Sequence, residues 1–144
     1  MSGDFSIAVS LLSPLVGACL IALAPRPPGL RDVIHIGFAA LAAVAASFVV
    51  AGVLHHENAR LVLTHPLPGV DLAFAGEPLG SLFAAIIGGL GFLHAIHTVG
   101  FVRASHDESS ARTMAFISLS SSAAIAVALS ANLFTLFVSY QALI

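Results

Sequence analysis

Apolar residues along the chain fall into five segments separated by short polar or proline-rich stretches. The segments cover residues 5–24, 33–54, 79–102, 111–129 and 133–144. Each of the first four is close to the length of about twenty residues that a helix needs to cross the hydrocarbon of a bilayer. The pattern predicts an all-α integral membrane protein: one membrane domain over residues 1–144, with four complete transmembrane helices and the start of a truncated fifth.

Prolines and acidic residues indicate where these helices begin and end. The proline-rich residues 25–29 stop the first helix, because proline cannot continue one. Asp32 precedes the second apolar segment, so we expect its side chain to cap that helix. Asp4 precedes the first segment and the chain has no basic residue before Arg26, so we expect the first helix to stay and not to be cleaved as a signal peptide.

The stretch between the second and third helices has a different pattern. Residues 61–65 and 70–74 are two β-prone runs on either side of Pro66-Leu67-Pro68-Gly69. Such runs around a Pro/Gly turn predict a short hairpin outside the bilayer, with an irregular loop as the alternative.

The fifth apolar segment is too short to cross a membrane. Residues 133–144 form about 18 Å of helix at a rise of about 1.5 Å per residue, whereas the hydrocarbon is about 30 Å thick. We therefore expect the sequence to be either a fragment or a short product whose fifth helix is completed by another polypeptide.

Composition supports the membrane assignment and excludes several kinds of partner. Only 8% of the residues are charged and the mean hydropathy is +1.03, whereas soluble domains are about a quarter charged. The five basic residues are scattered arginines, which argues against nucleic-acid binding. The single cysteine, Cys19, excludes an internal disulfide and a cysteine-built metal site. The expected partners are lipids and other integral membrane subunits.

The arginines also predict an orientation. Arg26 and Arg31 lie between the first two helices, and Arg103 and Arg112 lie between the third and the fourth. The other side of the membrane has only Arg60. The positive-inside rule then places the N-terminus outside and both arginine-bearing loops in the cytoplasm. We expect a multi-pass protein of the cell (inner) membrane.

Candidates for an ion pathway are few, because the middle of every segment lacks Asp, Glu, Lys and Arg. The candidates are His94, His97, Tyr140 and Gln141. The two histidines lie on one side of the third helix and could relay protons, since imidazole titrates near neutral pH. We favour neutral rings that are hydrogen-bonded to a helix neighbour or to interfacial water. A haem would need a second histidine at matching depth, which the middle of the second helix lacks.

Other polar and small residues of the segments suggest packing. We expect Gly88, Gly89 and Gly91 to allow close helix contact, and the serines of the fourth helix to pack between helices, with a wet path as the alternative. Those serines are Ser118, Ser120, Ser121 and Ser122. The sequence has no nucleophile–base pair, metal cluster or nucleotide fingerprint, so we expect no catalytic site, no cofactor and no metal in this chain.

Several runs resemble one membrane-protein family. Residues 130–141, SANLFTLFVSYQ, resemble the start of helix five in the antiporter-like proton-conducting subunits. These are the large subunits of Mrp cation/proton antiporters, of respiratory complex I and of membrane-bound hydrogenases. Residues 79–83 with 100–103 are similar to the third helix of that family, 112–116 to its fourth and 12–18 to its first.

The resemblance implies the N-terminal helices of a proton- or cation-translocating subunit in a multi-subunit membrane complex, whose redox centres, if any, reside elsewhere. Family members are much longer and have a lysine on a seventh helix. Gln141 aligns with the glutamate that tunes the pKa of that lysine, and a glutamine cannot change charge. We therefore expect an incomplete or degenerate transporter. The alternative is an accessory structural subunit that packs against a larger complex without transporting ions.

Overall fold

The computed structural model describes residues 3–23, 27–56, 58–67, 69–105 and 110–144. This part of the chain forms helices joined by one two-stranded hairpin. In chain order the elements are α1 (Gly3–Leu23), α2 (Pro28–Leu54), β1 (Arg60–Leu67), β2 (Val70–Ala75), α3 (Pro78–Ser105), α4 (Ser110–Ala128) and α5 (Leu133–Leu143). In the described ranges, four helices are long and apolar enough to cross a membrane, and α5 is shorter. The predicted all-α, multi-pass membrane architecture is confirmed.

The first four helices pack into a bundle. α1 contacts α2 and α4, α3 contacts α2 and α4, and α5 packs against α4 and β2. Two clusters of buried apolar side chains lie between the helices, one around Ile7, Ile125 and Leu129 and the other around Ile21 and Met114. Alanines and serines make up much of the remaining interface, because small side chains let helix backbones approach closely in lipid.

The start of α2 differs from the expectation. The helix begins at Pro28 and not at residue 33, and Pro27 is the N-cap without a side-chain hydrogen bond. Proline suits the first helical turn, because its φ is already helical and its missing N–H has no partner to lose. Asp32 therefore lies inside α2 and does not cap it, so that prediction was wrong. Its carboxylate instead binds Arg103 of α3.

The segment between α2 and α3 is a hairpin, as predicted. β1 and β2 are antiparallel, with Arg60 opposite Ala75 and Leu61 opposite Phe74. Gly69 in the turn has a φ of 82°, a left-handed conformation that glycine adopts without steric cost.

The hairpin is attached to the turn between α4 and α5. The Ala75 N–H donates to the Leu129 carbonyl at 2.8 Å, and the Ala131 N–H donates to the Ala73 carbonyl at 3.0 Å. The fully buried Thr135 hydroxyl accepts a hydrogen bond from the Ala73 N–H at 2.9 Å. These bonds satisfy backbone groups of β2 that its hairpin partner leaves unpaired.

The bundle therefore has two chemically different ends. The hairpin end contains the hairpin, the α4–α5 turn and the start of α1, where Asp4 Oδ1 accepts from the Arg60 N–H at 2.9 Å. At the arginine end, Arg103 lies in the last turn of α3 and Arg112 lies in the first turn of α4. The prediction that the arginine end lies in the cytoplasm stays a prediction.

Two of the three central glycines of α3 lie at close helix contacts. A Cβ on Gly88 would lie 3.1 Å from Ala43 Cα of α2, and a Cβ on Gly91 would lie 3.4 Å from Ser121 Oγ of α4. A Cβ on Gly89 would meet nothing within 4 Å. The packing prediction is confirmed for Gly88 and Gly91 and wrong for Gly89.

Candidate functional site

The interior of the bundle contains polar side chains from three helices near the arginine end. They are Asp32 and His35 of α2, Arg103 of α3 and Ser118 of α4, and we refer to them as the buried polar cluster. Asp32 is 3% exposed and His35 is 1% exposed. Ionisable side chains are seldom buried at membrane depth unless they are paired or functional.

Asp32 is held by the guanidinium of Arg103. Arg103 Nε donates to Asp32 Oδ2 at 2.8 Å, and Arg103 Nη2 lies 2.7 Å from the same oxygen. The Arg103 side chain is 66% exposed, so the guanidinium reaches the buried carboxylate from the bundle surface. Asp32 Oδ1 is buried and has no hydrogen-bond partner among the described residues.

His35 lies one helical turn after Asp32 and links α2 to α4. A hydrogen bond of 3.0 Å joins His35 Nδ1 to Ser118 Oγ. His35 Nε2 is buried and has no hydrogen-bond partner among the described residues. A neutral imidazole has one donor and one acceptor nitrogen, so the second nitrogen is able to bind a water molecule or accept a proton.

A small void lies beside His35. Its volume is about 10 Å³, close to the minimum for one water molecule, and its lining includes Ser118, Ser121 and Gly91. Ser121 and Gly91 also line an open groove of about 480 Å³ between α3 and α4, and His94 lies in that groove.

Polar groups thus form a discontinuous series from the arginine end to the groove between α3 and α4. It begins with the Asp32–Arg103 pair at the arginine end and continues through His35 and Ser118 to the void. Ser121 then separates the void from the groove that contains His94. Such a series is able to pass protons where water completes it, because imidazoles, hydroxyls and water all exchange protons.

The predicted site residues of α3 lie at the outer surface of the bundle. His94 and His97 are both exposed, and their ring centroids are 6.4 Å apart. The described part of the chain contains no hydrogen bond from either ring. The Thr98 hydroxyl donates to the backbone carbonyl of His94 at 2.8 Å, and this bond does not involve the His94 ring.

The predicted site residues of α5 lie apart from those of α3. Tyr140 is 51% exposed and Gln141 is exposed as well. α5 buries only Thr135 and Ser139. Gln141 follows Ser139 by two residues, which is about 200° around the helix, so its side chain points away from the bundle. The structure therefore does not bring Gln141 together with His94.

The serines of α4 have distinct partners. Ser122 donates to the Leu11 carbonyl of α1 at 2.7 Å, and Ser118 binds His35. Ser121 donates to the Ile117 carbonyl of its own helix at 2.9 Å, and Ser120 is exposed. The packing prediction is confirmed for Ser118 and Ser122, while Ser120 and Ser121 line the open groove.

Sequence reasoning named Ser118 as a packing residue but missed that Asp32, His35 and Arg103 join it in the buried polar cluster. Asp32 and His35 are three residues apart, so they share one face of α2, and this spacing was a usable signal. Arg103 lies in the last turn of α3, and its charge, opposite to that of Asp32 near the start of α2, was a second usable signal. The described residues contain no group of three or more His, Cys, Asp or Glu side chains arranged to hold a metal ion.

Comparisons with known proteins show the fold. No protein-family model and no curated protein matches the sequence. The structure is similar to a chain of the membrane-bound sulfane sulfur reductase (MBS), an archaeal respiratory membrane complex, with a TM-score of 0.76 and 24% sequence identity. The match covers 96% of this chain and 21% of that chain, so this chain spans about a fifth of the length of its structural neighbour.

Proposed function

We propose that this chain supplies the N-terminal helices of a proton- or cation-translocating, antiporter-like subunit in a multi-subunit membrane complex. Two likenesses support the proposal. The runs at residues 79–83, 112–116 and 130–141 resemble such subunits, and the fold is shared with part of a chain from a respiratory membrane complex. In this proposal the arginine end faces the cytoplasm, as the positive-inside rule predicts.

The observation that carries the proposal is the buried polar cluster. His35 carries an ionisable imidazole, is 1% exposed and has one nitrogen without a hydrogen-bond partner among the described residues. An apolar side chain at this position would fill the space between the helices without needing a hydrogen-bond partner, so packing alone does not call for a histidine. An embedded ionisable residue is by default a candidate for an ion or proton pathway.

The exposed polar side chains of α3 and α5 support assembly with further helices. His94 and His97 lie on the surface of α3, which is long and apolar enough to cross a membrane, and Gln141 lies on the surface of the shorter apolar helix α5. A polar group without a hydrogen-bond partner in lipid costs several kcal/mol. We infer that helices outside the described chain cover these side chains and bond to them.

Replacing His35 with asparagine tests the proton pathway. Asparagine keeps a polar atom near the position of Nδ1, so the bond to Ser118 is retained, but it does not titrate. In the complex isolated from its native membranes and reconstituted in liposomes, proton flux is expected to fall about a hundredfold, the range of a positioned proton-transfer group. His65→Asn on the exposed hairpin is the matched control and is expected to leave flux unchanged.

Two measurements separate a pathway defect from a folding defect. Subunit composition and thermal unfolding of the His35→Asn complex are expected to match those of the parent. If the intact variant complex moves protons at the parental rate, His35 is not on a proton pathway and this part of the proposal is wrong.

A second candidate is an accessory structural subunit. Gln141 favours it, because a glutamine in the place of a glutamate forms hydrogen bonds without changing charge. The Asp32–Arg103 pair is also compatible with it, since a paired charge serves helix packing as well as transport. An accessory subunit would co-purify with a larger assembly in stoichiometric amounts and leave ion flux unaffected.

Replacing Gln141 with glutamate discriminates between the two candidates. If the chain belongs to a translocating subunit, the restored carboxylate is expected to raise proton flux about tenfold. A charge that shifts the pKa of a partner group by about one unit changes the protonation equilibrium of that group tenfold. Gln141→Met, which cannot titrate, is the control for a simple change of side chain. Unchanged flux in both variants, together with unchanged flux in His35→Asn, would establish the accessory role.

A further inference from the structure

A second surface feature lies between α1 and α4 at the arginine end. An open groove of about 520 Å³ runs between the two helices, within the size range of small-molecule sites. Four alanines, Ala18 and Ala22 of α1 with Ala111 and Ala115 of α4, contribute to its lining. Their methyl groups leave space that larger side chains would fill. We refer to this feature as the α1–α4 groove.

The length of the α1–α4 groove is comparable with the depth of one leaflet of a bilayer. It extends from Arg112, near the start of α4, to Leu119, which is seven residues or about 10 Å further along the helix. On α1 it extends between Ala22 and Leu15. Half of the hydrocarbon is about 15 Å thick, so the groove runs from the membrane interface through much of one leaflet.

The end of the groove near Arg112 differs in charge from the rest of it. Among the described residues that line the groove, Arg112 is the one with a charged side chain, and it is exposed. Within residues 3–23, 27–56, 58–67, 69–105 and 110–144, no carboxylate pairs with Arg112, whereas Arg103 is neutralised by Asp32. A guanidinium at the interface favours a phosphate, to which arginine donates two parallel hydrogen bonds, and favours most a lipid whose phosphate charge is not offset by a cationic headgroup.

We propose that the α1–α4 groove binds an anionic phospholipid. Its phosphate binds Arg112, and one acyl chain lies along the alanines towards Leu15 and Leu119. The shape supplies an apolar channel of the right depth, and Arg112 supplies the complementary charge at the depth of the headgroups. This inference goes beyond the proposed function, because it does not depend on ion movement.

Photo-crosslinking in the intact complex tests the site. The complex is reconstituted in nanodiscs that contain phosphatidylglycerol or phosphatidylcholine with the same diazirine-bearing acyl chain. Labelling is then quantified by mass spectrometry on residues 15–22 and 111–119. Phosphatidylglycerol is expected to label these residues about fivefold more than phosphatidylcholine, the size of effect of one arginine at a charged membrane surface.

Two pairs of variants separate headgroup recognition from groove shape. Arg112→Gln is expected to abolish the fivefold preference, whereas Arg60→Gln at the hairpin end leaves it intact. Cys19 is exposed and lines the groove, so Cys19→Phe fills the space and is expected to reduce labelling by both lipids. Val44→Phe, on the exposed surface of α2, is the control for added apolar bulk.

Three results would overturn the proposal. Equal labelling by the two lipids would remove the headgroup preference, and an unchanged preference in Arg112→Gln would remove the role assigned to that arginine. Protection of the groove from both lipids, with crosslinks from Cys19 to a protein, would identify a helix of another subunit as the occupant. None of these readouts measures proton flux, so failure here is distinct from failure of the proposed function.

Discussion

Replacing Arg103 with glutamine is expected to lower the free energy of unfolding by about 3 kcal/mol, the lower end of the range for breaking a buried ion pair. The carboxylate of Asp32 remains buried in the variant, and no other cation is bonded to it within the described ranges. We place the effect at the lower end because the Arg103 side chain is itself 66% exposed. Thermal unfolding in one detergent at fixed pH measures the change.

Substitution of the other member of the pair, Asp32, is expected to destabilise the fold much less. Asp32→Asn leaves an arginine that is mostly exposed and able to remain hydrated, so the expected loss is about 1 kcal/mol or less. The double variant, with Asp32→Asn and Arg103→Gln, is expected to recover most of the stability lost in Arg103→Gln alone, because no buried charge is left. Equal losses in the two single variants, or no recovery in the double variant, would contradict this account of the pair.

The asymmetry bears on the candidate site, because Asp32 is one turn from His35 on the same helix. If Arg103 holds the start of α2 against the end of α3, its loss is expected to disturb the His35–Ser118 bond as well. For that reason Asp32→Asn, and not Arg103→Gln, is the better variant for measuring how the pair affects proton flux in an otherwise intact bundle.

Replacing Gly80 with alanine is expected to destabilise the fold by about 3 kcal/mol, the upper end for overpacking a close contact. A Cβ at Gly80 would overlap the carbonyl oxygen of Ala128, a backbone atom that cannot rotate away. The start of α3 would have to move away from the end of α4. The next residue, Leu129, accepts the hydrogen bond from Ala75, so the movement is expected to loosen the hairpin too.

Gly89 provides the matched control on the same helix. A Cβ there meets nothing within 4 Å, so Gly89→Ala adds no overlap. Alanine is favoured over glycine inside a helix by about 1 kcal/mol, so this variant is expected to be as stable as the parent or slightly more so. Hydrogen exchange of the β2 amides is expected to rise in Gly80→Ala alone. Similar stability of the two variants would show that the Gly80 contact is not close.

The helices and the hairpin could be predicted from the chain itself. In hydrocarbon every backbone polar group must be bonded internally, so an apolar run of sufficient length has to be a helix. The Pro/Gly turn between two β-prone runs likewise indicated the hairpin. The error at the start of α2 arose because Asp32 was read as a local cap, whereas Pro27 and Pro28 begin the helix and Asp32 faces another helix.

Which polar side chains meet inside the bundle was decided by the tertiary structure alone. The His35–Ser118 bond joins residues 83 positions apart, and the Asp32–Arg103 pair joins residues 71 positions apart. These contacts depend on the rotation of each helix about its axis. A helix that is apolar around its whole circumference has no polar stripe to indicate that rotation. The packing of glycines, alanines and serines sets it instead, and that packing buries His35 while leaving His94, His97 and Gln141 at the surface.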